Sequence, residues 1–177
     1  MIFIRNFLLC VCLAIWLNTA SVSGQANTAL ATTTPAPVQT LSISGEVAHP
    51  VKLSAADFAK LPRQTMRVKE HGVDATFEGV PLFEVLKLAG VEFGESLRGK
   101  RLETYLLVEA ADNYRTVFAL PELDPAFTDE VILLADRRDG KPLSKTEGNW
   151  RVIVPNEKRP ARSVRQVVNL IIRRDHP

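Results

Sequence analysis

The side chains best suited to chemistry in this 177-residue chain are arginines and lysines, which concentrate near the C-terminus. Residues 137–177 carry 11 basic and 4 acidic side chains, a net charge of +7, whereas residues 27–136 carry 10 basic and 16 acidic ones, a net charge of −6. A guanidinium is always charged, and its N–H fork fits phosphate or carboxylate. The basic segment is therefore predicted to bind an anion. The alternative is a solvated basic edge strand that discourages pairing with other sheets.

Other reactive side chains are scarce. Cys10 and Cys12 are the two cysteines, and both lie in a predicted leader, so the mature chain would have no disulfide, thiolate nucleophile or zinc–thiolate site. His49, His71 and His176 are too far apart in sequence for a local metal motif, and we expect them on the surface or in turns. Phosphate-binding glycine loops, Gly-x-Ser-x-Gly elbows and calcium loops are missing from the sequence. No catalytic or metal-ligating residue is predicted.

The N-terminus has the layout of a secretory signal peptide over residues 1–26. Arg5 precedes an apolar run over residues 7–17, and small and polar residues follow. Eleven helical residues extend roughly 16 Å, which is too short for a hydrocarbon core of about 30 Å. We predict cleavage between about Ser23 and Ala26, a periplasmic or secreted protein, and no membrane span after cleavage. An uncleaved anchor is the alternative.

The rest of the chain is predicted to be one domain behind a linker. Residues 27–40 are rich in Ala, Thr and Pro and cannot bury enough apolar surface to order themselves, so the domain spans residues 41–177. Helices are predicted from the Ser54 N-cap to Pro62, over 81–89 and over 122–128. Many strands with two or three short helices and no regular strand–helix alternation indicate an α+β fold with mixed sheets. The predicted strands cover 41–47, 65–69, 75–78, 103–108, 114–118, 131–135, 150–155 and 164–172. The strands at 65–69 and 75–78 are expected to pair, and a turn of the Asp-Gly type is predicted at Asp139 and Gly140.

The order of several short motifs resembles a known family. These are LSISGEV (41–47), the Leu-Pro pair after the first helix, FEGVPL (77–82), AADNY (110–114), LAD with DGKPL (134–143) and GNWRVIVP (148–155). Together they resemble the oxidoreductase molybdopterin-binding domain family, which has the sulfite-oxidase fold. The resemblance is greatest to small exported stand-alone members. It implies loops that hold a pterin phosphate, with molybdenum bound by the pterin dithiolene and one protein cysteine.

The resemblance also selects the candidate ligand-binding residues. Related proteins place basic residues near the cofactor in the segment that holds Arg159 and Arg162, and Tyr114 matches a position near the mouth of the active site. Arg137 follows a predicted buried strand, and Arg151 follows the Gly-Asn turn at 148–149. These five residues are the predicted cofactor-binding set, with surface charge, salt bridges and a core-capping aromatic as the alternative roles.

The sequence departs from the family pattern where the metal-binding cysteine is expected. The corresponding segment, residues 67–72, reads RVKEHG, and neither Glu70 nor His71 is a soft thiolate donor. The expected function is a molybdopterin-binding-type domain that binds a pterin, another small anion or a periplasmic protein partner, without molybdenum redox catalysis. A molybdopterin-dependent oxidoreductase with an atypical metal ligand, and an interaction domain with no small ligand, are the alternatives. Nucleic acid is not expected as a partner, since aromatic residues are scarce in the basic segment.

Overall fold

The computed structural model describes residues 39–70 and 72–175, which form ten strands and two short α-helices. The predicted signal peptide, both cysteines, His71, His176 and all but the last two residues of the predicted linker lie outside the described residues. The helices are α1 (Ala55–Phe58) and α2 (Leu82–Lys87). The strands are β1 (Thr40–Gly45), β2 (Val51–Ser54), β3 (Gln64–Glu70), β4 (Val73–Pro81), β5 (Thr104–Ala110), β6 (Arg115–Ala119), β7 (Leu133–Arg138), β8 (Lys141–Pro142), β9 (Arg151–Ile153) and β10 (Val167–Arg174).

The first sheet has the strand order β2-β1-β10-β5-β6. The C-terminal strand β10 pairs in parallel with β1 and antiparallel with β5, so it lies in the middle of the sheet. The alternative that the basic segment forms an edge strand is therefore wrong for β10. Its alternating apolar residues, such as Leu170 and Ile172, are buried in the core on one face of the sheet, and Arg173 and Arg174 come only at its end.

The second sheet has the order β3-β4-β7, with β8 and β9 both beside β7. Strands β3 and β4 form a tight hairpin, in which Glu70 is the register partner of Val73. The predicted Asp-Gly turn between β7 and β8 is confirmed: both Asp139 and Gly140 have positive φ, at 50° and 75°. Two consecutive residues with positive φ are what a two-residue hairpin turn requires.

Both predicted N-terminal helices form, although they are shorter than predicted. The Ser54 side chain accepts a hydrogen bond from the Asp57 N–H at 3.1 Å, so it is the N-cap of α1. In α2, the apolar residues Leu82, Val85 and Leu86 lie on one face and are fully buried. Gly90 follows the end of α2 with a φ of 77°.

A helix over residues 122–128 was predicted, and this prediction was wrong. The structure has a 3-10 turn over Leu120–Glu122 and then a loop. The loop is organised by Asp124, which is 2% exposed. Its carboxylate accepts hydrogen bonds from the N–H groups of Gly94 at 2.6 Å and Ala126 at 2.9 Å. These side-chain hydrogen bonds stabilise a loop in place of the predicted helix.

The buried apolar residues form two clusters. The larger one lies among α1, α2, the first sheet and one face of the second sheet, with Phe58 and Trp150 in edge-to-face contact at 6.1 Å. The smaller cluster includes Phe77, Ala135 and Ile153 on the other face of the second sheet. Because strand residues alternate between faces, Val152 belongs to the larger cluster while its neighbours point to the smaller one.

Mixed sheets with two short helices confirm the predicted α+β class. Among residues 39–70 and 72–175, no helix is long and apolar enough to cross a bilayer.

Candidate functional site

A cleft of about 510 Å³ opens beside the smaller apolar cluster, and two of its lining residues, Val68 and Ile153, pack in that cluster. One wall is the end of the β3–β4 hairpin, and the other is the loop over residues 154–163 that follows β9. The buried Arg151 lies at the floor of the cleft. A neighbouring cleft of about 250 Å³ shares Glu70 and Arg151 with the first one, so both open onto the same buried ion pair.

Four charged side chains beneath the clefts form a closed network, which we call the arginine–glutamate ring: Glu70, Arg138, Glu147 and Arg151. The carboxylate of Glu70 pairs with Nη2 of Arg151 and lies 3.1 Å from Nη1 of Arg138. The carboxylate of Glu147 lies 2.8 Å from Nη1 of Arg151 and 3.4 Å from Nη1 of Arg138. Each carboxylate thus contacts both arginines, and the ring has no net charge.

Strand alternation and register bring the ring together. Phe77 is the register partner of Arg138, and Ala135 is the partner of Arg151, so both guanidinium groups lie on the Phe77 face of the sheet. They lie 5.4 Å and 5.2 Å from the centre of the Phe77 ring, within the range of a cation–π contact. The side chain of Phe77 therefore makes a favourable contact with both guanidinium groups, which are largely removed from water.

Glu147 is positioned by the turn before β9. The Ser144 hydroxyl donates to its carboxylate at 2.8 Å, and the Ser144 backbone N–H donates at 3.3 Å. The backbone carbonyl of Glu147 accepts from Gln166 N–H at 2.7 Å, which ties the turn to the start of β10. Gly148 follows with a φ of 80°. This segment fixes the carboxylate before the chain enters β9 at Arg151.

The two glutamates of the ring are ionised at neutral pH. Burial acts to raise the pKa of Glu70, but the hydrogen bond from Arg151 and the charges of Arg151, Arg138 and Arg165 outweigh it, so this pKa lies below its ordinary value. Burial also acts to raise the pKa of Glu147, and hydrogen bonds from Ser144 and Arg151 outweigh it in the same way. The side chain of Arg151 is 2% exposed. Within the described residues, its Nε is the one buried side-chain nitrogen or oxygen without a hydrogen-bond partner.

A second set of cations surrounds the clefts and is exposed. Arg67, Lys69 and Lys158 line the larger cleft, and Arg165 lines the smaller one. For the part of the chain that the structure describes, no carboxylate lies within ion-pair distance of these four side chains. Unlike the arginines of the ring, they are available to a ligand.

The five residues predicted from the sequence are not gathered in one place. Arg151 is in the ring, and Tyr114 lines the smaller cleft, where its hydroxyl donates to the Ala161 carbonyl at 2.8 Å. Arg159 is exposed on the loop over residues 154–163. Arg137 is exposed and lines a separate groove, because alternation along β7 directs it away from its neighbour Arg138.

Arg162 is already engaged by the protein itself. Its guanidinium donates to Glu122 at 2.7 Å and to Glu157 at 2.6 Å, and its Cζ lies 4.9 Å from the centre of the Phe118 ring. The hydrogen bond to Glu122 raises the pKa of Arg162 further. These contacts match the salt-bridge role that the sequence left open for this residue.

The predicted cofactor-binding set did not include the other residues of the site. These are Glu70, Arg138 and Glu147 of the ring and the exposed Arg67, Lys69, Lys158 and Arg165. For Glu70, strand parity was an available signal, since Met66, Val68 and Glu70 share one face of β3 and the two apolar residues pack on the smaller cluster. For Arg138, the deciding information is the register between β4 and β7, which no local pattern contains.

Comparison with known proteins identifies the family. The family model described as the oxidoreductase molybdopterin binding domain matches residues 31–176. The chain belongs to this family. Among solved structures, the sulfane dehydrogenase SoxCD from Paracoccus pantotrophus matches with a TM-score of 0.60 and 23% identity, over 75% of this chain and 37% of that chain. At this identity the likeness shows the fold, and the chain spans well under half of that protein's length. No curated protein is detectably similar in sequence.

Members of this family bind a molybdopterin cofactor. The side chains at the clefts suit the phosphate of such a group but not its metal. Exposed cations at the clefts suit a phosphate. Between residues 67 and 72, where the resemblance implies a cysteine ligand, the chain has no thiol, and the carboxylate of Glu70 is held by two arginines. No group of three His, Cys, Asp or Glu side chains that could hold a metal occurs within residues 39–70 and 72–175. The donor chemistry of the site therefore does not match a molybdenum–thiolate centre.

Proposed function

We propose that this protein is an exported, stand-alone member of the molybdopterin-binding family that binds a phosphate-bearing pterin or another small anion without molybdenum redox catalysis. The observation that carries the proposal is the convergence of Arg67, Lys69, Lys158 and Arg165 on two adjoining clefts, with no carboxylate of the described residues within ion-pair distance of them. Membership of the family and the fold of the sulfite-oxidase type support the choice of a pterin as the first ligand to test.

The charge distribution supports an anion that stays near the surface of the cleft. The ring below is neutral, so the attraction comes from the exposed cations. Exposed ion pairs contribute up to about 1 kcal/mol each and weaken with salt. Several such pairs to one phosphate give modest, salt-dependent affinity, which suits a binding or carrier role.

Cofactor content is the first test. Protein is purified from the exported fraction of a host that makes the cofactor, and molybdenum is measured by elemental analysis together with pterin fluorescence after acid oxidation. Pterin without metal supports the proposal. Near-stoichiometric pterin and metal would overturn it in favour of an oxidoreductase, and Glu70 and His71 would then be the ligands to mutate. N-terminal sequencing of the same sample tests export, with cleavage expected between about Ser23 and Ala26.

Binding of an inorganic probe tests the cleft directly. Pyrophosphate is titrated into the wild type and into Lys69→Ala/Lys158→Ala by calorimetry at two salt concentrations. Two lost ion pairs should weaken binding about tenfold. Lys100→Ala/Lys141→Ala is the matched control, since both lysines are exposed and line neither cleft. Equal affinity in all three proteins, or no binding by the wild type, would refute the proposed site.

A further inference from the structure

The carboxylate of Glu70 contacts the guanidinium of Arg151 as a bound anion would. One oxygen pairs with Nη2 of Arg151, and the other lies 3.4 Å from Nη1, so the contact has the two-point form of a guanidinium–carboxylate pair. The two residues are 81 positions apart in the chain. Their pairing is therefore made by the tertiary fold, at the end of the β3–β4 hairpin where the resemblance implies a metal-binding thiolate.

Glu70 and Arg151 both line the two clefts, and Arg151 is the less exposed of the two. The side chain of Glu70 is 11% exposed and lines both clefts, while the side chain of Arg151 beside it is 2% exposed. Truncation of Glu70 at Cβ would leave a space about the size of a small carboxylate next to Arg151, connected to the clefts. Glu147, the other carboxylate of the ring, lines neither cleft.

We propose that Glu70 is an internal anionic ligand of Arg151 that closes the inner part of the site to small carboxylates and oxyanions. In the wild type, a ligand is then held only by the exposed cations. Removal of Glu70 would free Nη2 of the buried guanidinium for an anion, and its Nε already has no partner in the described residues. Glu70 thus determines which ligands the site accepts.

Chemical rescue tests this inference. Glu70→Ala is melted in 1 to 100 mM sodium formate and in sodium chloride of equal ionic strength. Formate is planar, carries one charge and can make the same two-point contact. We expect the midpoint of Glu70→Ala to rise by at least about 4 °C more in formate than in chloride, as for a ligand that binds the folded state alone. If Glu70→Ala is unfolded at the outset, the folded fraction at 25 °C is compared in the same two salts.

Two variants serve as controls. Asp74→Ala removes an exposed acid from the same hairpin, and Glu147→Ala removes a carboxylate of the ring that lines neither cleft. Neither should respond to formate more than the wild type does. A Glu70→Ala protein that gains no more from formate than from chloride, or no more than Asp74→Ala gains, would overturn the proposal. The occupation of Arg151 by Glu70 rests on the ring alone, and formate rescue tests it. The effect of Glu70 on ligand choice rests on the proposed function, whose own test is pyrophosphate binding by the wild type.

Discussion

Replacement of Arg151 by methionine tests the energetics of the arginine–glutamate ring. Methionine keeps much of the side-chain volume and removes the charge. Among the described residues, Arg138 would then be the one cation within ion-pair distance of Glu70 and Glu147. The side chain of Arg138 is 33% exposed and that of Arg151 is 2% exposed. Removal of one partner from a buried ion pair costs about 3–5 kcal/mol, because the other charge stays buried without compensation. We expect Arg151→Met to lose stability in this range at pH 7.

Urea denaturation at constant ionic strength is the appropriate assay, since guanidinium salts would screen the ring. The double variant Glu70→Gln/Arg151→Met removes one of the stranded carboxylates. Its loss should be smaller than the sum of the two single losses by about 1–3 kcal/mol, as for residues in direct contact. A loss below about 1 kcal/mol in Arg151→Met, or additive losses in the double variant, would refute the view that the ring is an interacting unit.

The stability loss in Arg151→Met should also depend on pH. The pKa values of Glu70 and Glu147 lie below their ordinary value of 4.5 in the folded protein. Ionised glutamates therefore stabilise the wild type fully above the unfolded pKa, and this contribution is lost as the pH falls through the lowered folded pKa. The stability difference between wild type and Arg151→Met should shrink as the pH is lowered from 6 to 3. A constant difference over that interval would contradict the assignment.

Two further variants test the supports of the site. Leu86→Ala should cost about 2–5 kcal/mol in urea denaturation, because Leu86 is fully buried in the larger apolar cluster, and a loss below about 1 kcal/mol would contradict its placement on the inner face of α2. Gly148→Ala should lose about 1–3 kcal/mol, because its φ is 80° and a Cβ would lie 2.7 Å from the Cα of Gln166; unchanged stability would argue against this turn geometry.

Local patterns predicted most of the strands because alternation of polar and apolar residues follows from one strand alone. The hairpin of β3 and β4, the N-cap at Ser54 and the Asp139–Gly140 turn are of this kind. The order of strands within each sheet depends on distant pairing, such as the parallel contact between β1 and β10. The short strand β2 was not predicted, since its apolar residues are too few to separate it from the start of the following helix.

Adjacent arginines at the end of β7 show the limit of such prediction for the site. Arg137 and Arg138 have the same chemistry and differ by one position in sequence. A register shift between Glu78 and Gly79 accompanies their pairing, and it leaves Arg138 opposite Phe77 and Arg137 opposite Glu78. One residue therefore joins the ring and the other faces a different groove. A one-residue change in strand register exchanges the two faces, so the choice depends on the assembled sheet.

The basic C-terminal segment also illustrates why net charge does not identify the residues that hold a ligand. Arg151 and Arg162 both belong to the predicted cofactor-binding set, yet carboxylates of the protein already engage both of them. The partner of Arg151 at Glu70 is 81 residues away, in a segment where the overall charge is negative. Folding thus neutralises the buried arginines and leaves the less conspicuous Lys69 and Lys158 without partners among the described residues. If an anion binds in these clefts, those lysines should control its affinity, and Glu70 should control how deeply it enters.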